Sequence, residues 1–563
     1  MGQNQTQIQS VPDSPGLPEA IATKSLPDLV VLADELAQKR GLVPMFDRAL
    51  AEDDRELASI TLLAGLARPD VARWMAQRIG GFLTAGHGTA PLALELLKRL
   101  AAADLDRREL IATSEALLTS AAQEKLPHQI ACHRILFDAA RLPRHGWALV
   151  KLLVEAGDLE AAVAVLDVMH PAGSDVAPDA SPLTRQFHAE LLSLLGRHTE
   201  AIALTQRLQA ADPTRADHVR NLLRLQMAAG QSDAVADGFP GAIAAHPGDW
   251  MLAFLLHRAR IAPQAFHTAY SLLSPPGPEH DSRYHLHYAV SAMALSDTAT
   301  AQRIARGLAM EPIPYAASFA KTVAHASACG LGQSHRLTGD PRQTVEIVKA
   351  GPGRPTVVVF LGSTGINFSF LNMRFLDRFF EERGLNAIYL RETRKAMFHQ
   401  GIEGLGADEA EALLGLDRLH TQLGSSRRIH IGCSLGGYGA ARYGHLANVE
   451  AVLSFAGATD LYGFASETIP RSLHTPQFLL LQKARQSISA QDARLRPLIE
   501  ASQARHIQFF GAQNACDRAQ AEAIADLPTV EIEAIEGAED HFVFGHALVS
   551  GAFERRLDTL GLT

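Results

Sequence analysis

The chain has 563 residues, of which 47% are apolar, enough for several buried cores and, at roughly 150 residues per domain, for three or four domains. Lys and Arg total 52 against 61 for Asp and Glu, a formal net charge of −9, so the overall charge does not favour nucleic acid or an anionic membrane as a partner. No apolar run approaches the roughly 18 residues that span a bilayer. Cys132, Cys329, Cys433 and Cys516 are scattered, with no CxxC pair, which excludes a disulfide scaffold and predicts a reducing, cytoplasmic setting.

Residues 1–25 are polar, interrupted by Pro12, Pro15 and Pro18, and lack the apolar region of a secretory signal. Met1-Gly2-Gln3-Asn4-Gln5-Thr6 fits the short myristoylation pattern, but a frayed, unmodified tail is expected. From 26 to 337 the sequence is rich in Ala, Leu and Arg, with apolar residues at helical spacing and few β-branched runs. Within it Gly196, Ala201 and Pro213 recur as Gly230, Val235 and Pro247, a displacement of about 34 residues. An earlier copy has Gly157 and Ala162, and a later one Ser296, Ala301 and Pro312. The small residue permits a tight turn, the Ala sits where two helices approach, and the Pro closes the unit. Over 146–314 this pattern resembles the tetratricopeptide repeat, although the expected aromatic positions are mostly Leu or Ala. The competing reading is a helical array that happens to carry two well-spaced Gly/Pro pairs. The resemblance implies a curved surface for a protein or peptide partner. Ser274-Pro275-Pro276-Gly277-Pro278 is predicted to be an exposed turn interrupting the array.

Beyond 338 the pattern changes to alternating strands and helices. Strands are predicted at 344–348, 356–361, 387–390, 428–431, 451–455, 506–510 and 530–535. Helical stretches between most of them predict a mainly parallel, doubly wound sheet over 338–563. Directly after the fourth strand comes Gly432-Cys433-Ser434-Leu435-Gly436-Gly437, followed by a helical run of small residues. This is G-x-S-x-G in a strand–turn–helix setting, where glycines let strand and helix pass closely and lift the serine hydroxyl above the sheet. In this respect residues 343–563 resemble an α/β-hydrolase fold serine hydrolase. The chain is therefore expected to be multidomain: an all-α helical repeat array followed by an α/β-hydrolase domain.

The resemblance implies a triad in the order nucleophile, acid, histidine on strand-end loops. Ser434, Asp517 and His541 meet that order, with Asp517 after the strand 506–510 and His541 after 530–535. It also implies an oxyanion hole from the Leu435 N–H and a group after the strand 356–361, for which Ser363 is the choice and Thr364 the second; Leu361 replaces the histidine frequent in that family. Asp517 also suits a helix N-cap, which leaves Asp460 as the alternative acid. His546 competes with His541, and Cys433 and Cys516 are read as packed thiols. Arg391 and Arg394, with Lys395, follow the third strand and are candidates for holding a substrate carboxylate or phosphate; a solvated loop is the competing reading. The Leu-, Gln- and Arg-rich insertion between 455 and 506, including Phe478-Leu479-Leu480-Leu481, is the natural cap.

The implied activity is hydrolysis of an acyl ester or thioester, with no metal and no cofactor. An acyltransferase acting on a glycan or other acceptor, and a scaffold with an inactive hydrolase-like domain, are the alternatives. The array is expected to fold by itself, so that a fragment starting near Thr338 retains activity on small esters. Helices of the array covering the sheet would prevent this.

Overall fold

The computed structural model describes residues 25–38, 41–84, 90–103, 105, 108, 110, 111, 113, 126–171, 182–309, 311, 313, 315–328, 333–362, 367–468 and 476–562. The tail 1–24, with its myristoylation pattern, and Ser363, Thr364, Pro312 and Cys329 lie outside them. The chain forms two compact units, Met1–Ala177 and Pro178–Thr563.

The first unit is helical. Its helices from Leu26–Leu36 to Ala90–Ala102 bury Phe46, Leu62, Met75 and Leu96 in one cluster. Helices Pro143–Glu155 and Leu159–Met169 close it as an antiparallel pair, with Gly157 at φ 82° in the turn between them.

The second unit begins with pairs built on the same turn. Pro182–Leu194 leads through Gly196 into His198–Ala211, Ala216–Ala228 through Gly230 into Ser232–Ala245, and Ser282–Ala294 through Ser296 into Thr298–Leu308. Gly196, Gly230 and Ser296 all adopt positive φ, the conformation that turns a chain sharply back after a helix. Where Ser296 occupies this position, Asp297 caps the following helix by accepting from Thr300 N at 3.0 Å. The predicted close-approach residues Ala162, Ala201, Val235 and Ala301 are all buried.

After these helices the described residues form nine strands: β1 (Val345–Val348), β2 (Thr356–Leu361), β3 (Asn367–Phe368), β4 (Leu371–Asn372), β5 (Asn386–Arg391), β6 (Arg428–Cys433), β7 (Ala451–Phe455), β8 (Arg505–Gly511) and β9 (Val530–Ile535). Seven form one sheet in the order β1-β5-β2-β6-β7-β8-β9, and all its pairings are parallel except β1 with β5. The short β3–β4 hairpin gave no signal in the sequence, because two-residue strands carry no periodicity. The seven predicted strands correspond to these seven within two residues at each end.

Side chains of the central strands alternate between two cores, as the pleat requires. Val358, Phe360, Ile388 and Leu390 face a cluster with Leu416, Tyr438 and Tyr443. Val357, Val359, Tyr389, Ile431, Phe455 and Phe509 face Phe379, Phe544 and Phe553, and this second cluster continues without a break into Tyr284, Phe319 and other residues of the preceding helices. A sheet flanked by apolar side chains on both faces needs a cover on each, and the helices before residue 338 supply part of one. Polar contacts reinforce the junction: Arg260 Nε donates to Pro341 O at 3.0 Å and Asn372 Nδ2 to Ala294 O at 3.3 Å. Fully buried Asp377 accepts from Arg336 Nη2 at 2.9 Å and from Tyr389 OH at 2.8 Å, which anchors the connecting segment to β5.

Candidate active site

β6 is the middle strand of the seven, and Ser434 follows it directly, before the helix Leu435–Leu446. Ser434 has φ 56° and ψ −123°, a conformation that non-glycine residues rarely adopt. The turn is over-determined by its surroundings: Ser434 N donates to Phe455 O at 2.8 Å, and Ser434 O accepts from Tyr438 N at 3.1 Å. A Cβ on Gly432 would lie 2.6 Å from Gly437 N, and one on Gly436 would lie 3.0 Å from the Phe360 carbonyl carbon. Strand β6, strand β2 and the helix can therefore converge only because both positions are glycine.

Asp517 lies in the helix Ala515–Glu522 that follows β8, and is almost completely buried. Capping of that helix falls to Asn514, whose Oδ1 accepts from Asp517 N at 3.0 Å. The Asp517 carboxylate is thus free for another partner, and its Oδ1 lies 2.8 Å from His541 Nδ1. On the other side of the ring, His541 Nε2 lies 2.8 Å from Ser434 Oγ. With Asp517 ionised, Nδ1 carries the proton and Nε2 accepts from the serine hydroxyl. Three groups from three separate strand ends therefore form one hydrogen-bonded line. The Phe464 ring, 5.3 Å from the imidazole, flanks it; no local pattern in the sequence distinguished Phe464.

The alternatives are occupied elsewhere. Asp460 accepts from Tyr462 N and Gly463 N, both at 3.0 Å, and pairs with Arg494 at 3.2 Å. It is the helix cap that Asp517 is not. His546 Nε2 lies 2.9 Å from Ser318 Oγ. Leu435 N heads the helix after Ser434, and Gly362, at the end of β2, comes so close that a Cβ on it would lie 3.5 Å from Leu435 Cβ. Arg391 is buried, donates to Gln343 O at 2.6 Å and lies 3.5 Å from Met373 Sδ, while Arg394 donates to Ala407 O at 2.5 Å and to Gln400 O. The Arg391 guanidinium thus supports the backbone just before β1, and that of Arg394 the loop after β5. Burial first, then the charges of Asp517 and Asp540, pushes the Cys433 thiol up to about 12. Burial and a hydrogen bond with Glu467 do the same to Cys516, also to about 12. Both therefore remain thiols near neutrality. Among the described residues no group of three or more His, Cys, Asp and Glu side chains is placed to hold a metal ion, and no helix is long and apolar enough to cross a membrane.

No protein-family model matches the chain, and no curated protein does. Among solved structures it is similar to a puromycin-hydrolysing peptidase of Mycobacterium tuberculosis, at 16% identity over 38% of this chain and 36% of that one, with a TM-score of 0.30. It is also similar to a carboxylesterase of Bacillus subtilis (13% identity, 43% of this chain and 97% of that one, TM-score 0.26). A third is a hyperthermophilic esterase of the archaeon Pyrobaculum calidifontis (14% identity, 46% and 94%, TM-score 0.28). The chain spans little more than a third of the length of the peptidase. At such scores these likenesses say nothing about activity.

Proposed function

We propose that residues 338–563 are the catalytic part of an α/β-hydrolase fold serine hydrolase, an esterase or thioesterase acting through Ser434, Asp517 and His541. The observation that carries this reading is the unbroken line from Ser434 Oγ through His541 to Asp517, with both contacts at 2.8 Å. A serine hydroxyl becomes a competent nucleophile when a neighbouring imidazole takes its proton. Here Nε2 is the base, and the buried Asp517 carboxylate holds the ring in the required tautomer and stabilises the imidazolium.

In the acylation step Ser434 Oγ bonds to the acyl carbon while its proton passes to His541 Nε2. The negative charge goes to the former carbonyl oxygen, where the Leu435 N–H, unused by the helix it starts, donates to it. Collapse breaks the bond to the leaving oxygen or sulfur, which takes the proton from Nε2. Water repeats the cycle and releases the acid. Ser363 is the proposed second oxyanion donor. Residues 26–337 act, in this reading, as a tetratricopeptide-like array that recruits a protein partner or the substrate, and neither part calls for a cofactor.

A fluorophosphonate probe should label the wild-type chain at Ser434 and leave Ser434→Ala unlabelled; equal labelling of both would remove the assignment. Product analysis with a simple acetyl ester, with and without a glycan acceptor, separates hydrolysis from transfer.

A further inference from the structure

The helix Ala316–Ala328 precedes the sheet in sequence, yet its side chains grip the segment that carries His541. Ser318 is completely buried. Its Oγ donates to Asp540 Oδ2, the residue immediately before His541, and lies 2.9 Å from His546 Nε2. A hydroxyl has one proton. Because it goes to the carboxylate, Ser318 Oγ must accept from the His546 Nε2–H. The other oxygen of Asp540 accepts from Phe542 N at 2.9 Å, so the Asp540 carboxylate bridges the backbone on the far side of His541 to the helix.

The grip extends along one face of that helix. The Phe542 ring stacks on Phe370 at 4.6 Å and meets Tyr315 edge-on at 4.3 Å, and Phe319 packs edge-on against Phe370 at 5.6 Å. One turn further on, the helix approaches Gly545 so closely that a Cβ there would collide with the Thr322 hydroxyl. Asp540, Phe542, Gly545 and His546 thus all face the helix, while His541 faces Ser434 and Asp517.

We infer that Ser318 is a positioning residue for His541: by fixing Asp540 and His546 at once, it sets the loop on which the imidazole stands. This rests on the reading of Ser434, Asp517 and His541 as a triad. The segment 536–540 that leads to His541 is Glu-Gly-Ala-Glu-Asp; buried Ala538 and its carbonyl, which accepts from Gln513 N at 3.3 Å, hold its middle, and the contacts of Asp540 and Phe542 hold the end next to His541. Without the Ser318 hydroxyl, Asp540 loses a donor and His546 an acceptor. The Asp540 carboxylate, one residue from the imidazole, is then released from the helix.

The test uses the full chain as Ser318→Ala and as Ser318→Cys, which keeps the volume but has only a weak donor. On a small activated ester, Ser318→Ala should lower kcat by about 10- to 100-fold, as expected for a catalytic group displaced by about 1 Å, with KM nearly unchanged. Ser318→Cys should lose less. The downfield proton resonance of the His541 Nδ1–H should broaden or move in Ser318→Ala. A purely structural role would lower the melting temperature and leave kcat and that resonance as in the wild type, and this result would overturn the inference. If Ser318→Ala does not fold, Ser318→Cys decides: wild-type kcat and resonance in that variant also overturn it. Failure of the triad reading is a separate result, in which Ser434→Ala turns over at the wild-type rate.

Discussion

His445 Nε2 donates to His506 Nδ1 across 3.0 Å inside the protein, and His506 Nε2–H lies 3.0 Å from Gln508 Oε1, whose Nε2 donates to Gly457 O at 2.9 Å. This order of donors requires His506 to be neutral, and burial together with the neighbouring ring disfavours a charge on His445. It ties the end of the nucleophile helix, through β8, to the turn after β7 that packs on Gly437.

The pair makes stability depend on pH with a defined sign. Burial pulls His506 down to about 4, and burial with the neighbouring ring pulls His445 down to about 3, from 6.5. As pH falls below 6.5 the unfolded chain takes protons that the folded protein refuses, so stability present above 6.5 is lost towards 3 to 4. Each imidazole contributes about 1.4 kcal/mol per pH unit in that window. Urea midpoints at pH 7 and pH 5 should show His445→Gln losing about 2 kcal/mol less than the wild type between them. Identical pH dependence would refute the assignment.

Substitution of the acids separates Asp517 from Asp460. Asp517→Asn should cost about 10⁴-fold in kcat with the fold intact, because the wrong tautomer of His541 is then favoured. His541→Ala should approach the loss of Ser434→Ala, since members of a triad act as a unit. Asp460→Asn retains most of its capping capacity and should leave turnover near wild type; a collapse of activity there would make Asp460 the working acid.

Two glycines should respond in opposite directions. Gly436→Ala drives a methyl group into the Phe360 carbonyl of β2, and neither backbone can yield cheaply. It should lower stability by about 1–3 kcal/mol and abolish fluorophosphonate labelling. Gly307, exposed within the helix Thr298–Leu308 and with nothing near its missing Cβ, should stabilise by about 0.5–1 kcal/mol when changed to Ala. Thermal melts of the two variants check both signs.

Truncation tests where the catalytic unit begins. A fragment from Pro178 to Thr563 keeps the whole compact unit and should fold and take the probe at Ser434. A fragment from Thr338 loses Phe319, Tyr284 and the Ser318 contact and exposes one face of the sheet, so it should be insoluble or at least 10-fold slower in labelling, as displacement of His541 would predict. A soluble 338–563 fragment with full labelling would show that those helices are dispensable.

Local chemistry made much of this legible in the sequence. The short apolar runs at 356–361 and 451–455, the first rich in β-branched residues, suit a buried strand, and Gly432, Ser434 and Gly436 between strand and helix specify a strained turn, because both signals depend only on neighbours in the chain. Small residues such as Gly196 and Gly230 marked helix turns for the same reason. The chain order ranked Asp517 above Asp460 and His541 above His546, but the rivals stayed open in the sequence. For the acids the difference lies in which residue, Asn514 or Asp460 itself, caps the adjoining helix; for the histidines it lies in whether the ring meets Ser434 or Ser318. The sequence could not show that helices before residue 338 cover the sheet. An amphipathic helix displays its apolar stripe in sequence but not the surface that buries it. Only the tertiary structure put Ser318 against Asp540, 222 residues away, because that contact depends on how a helix face and a strand-end loop meet in space.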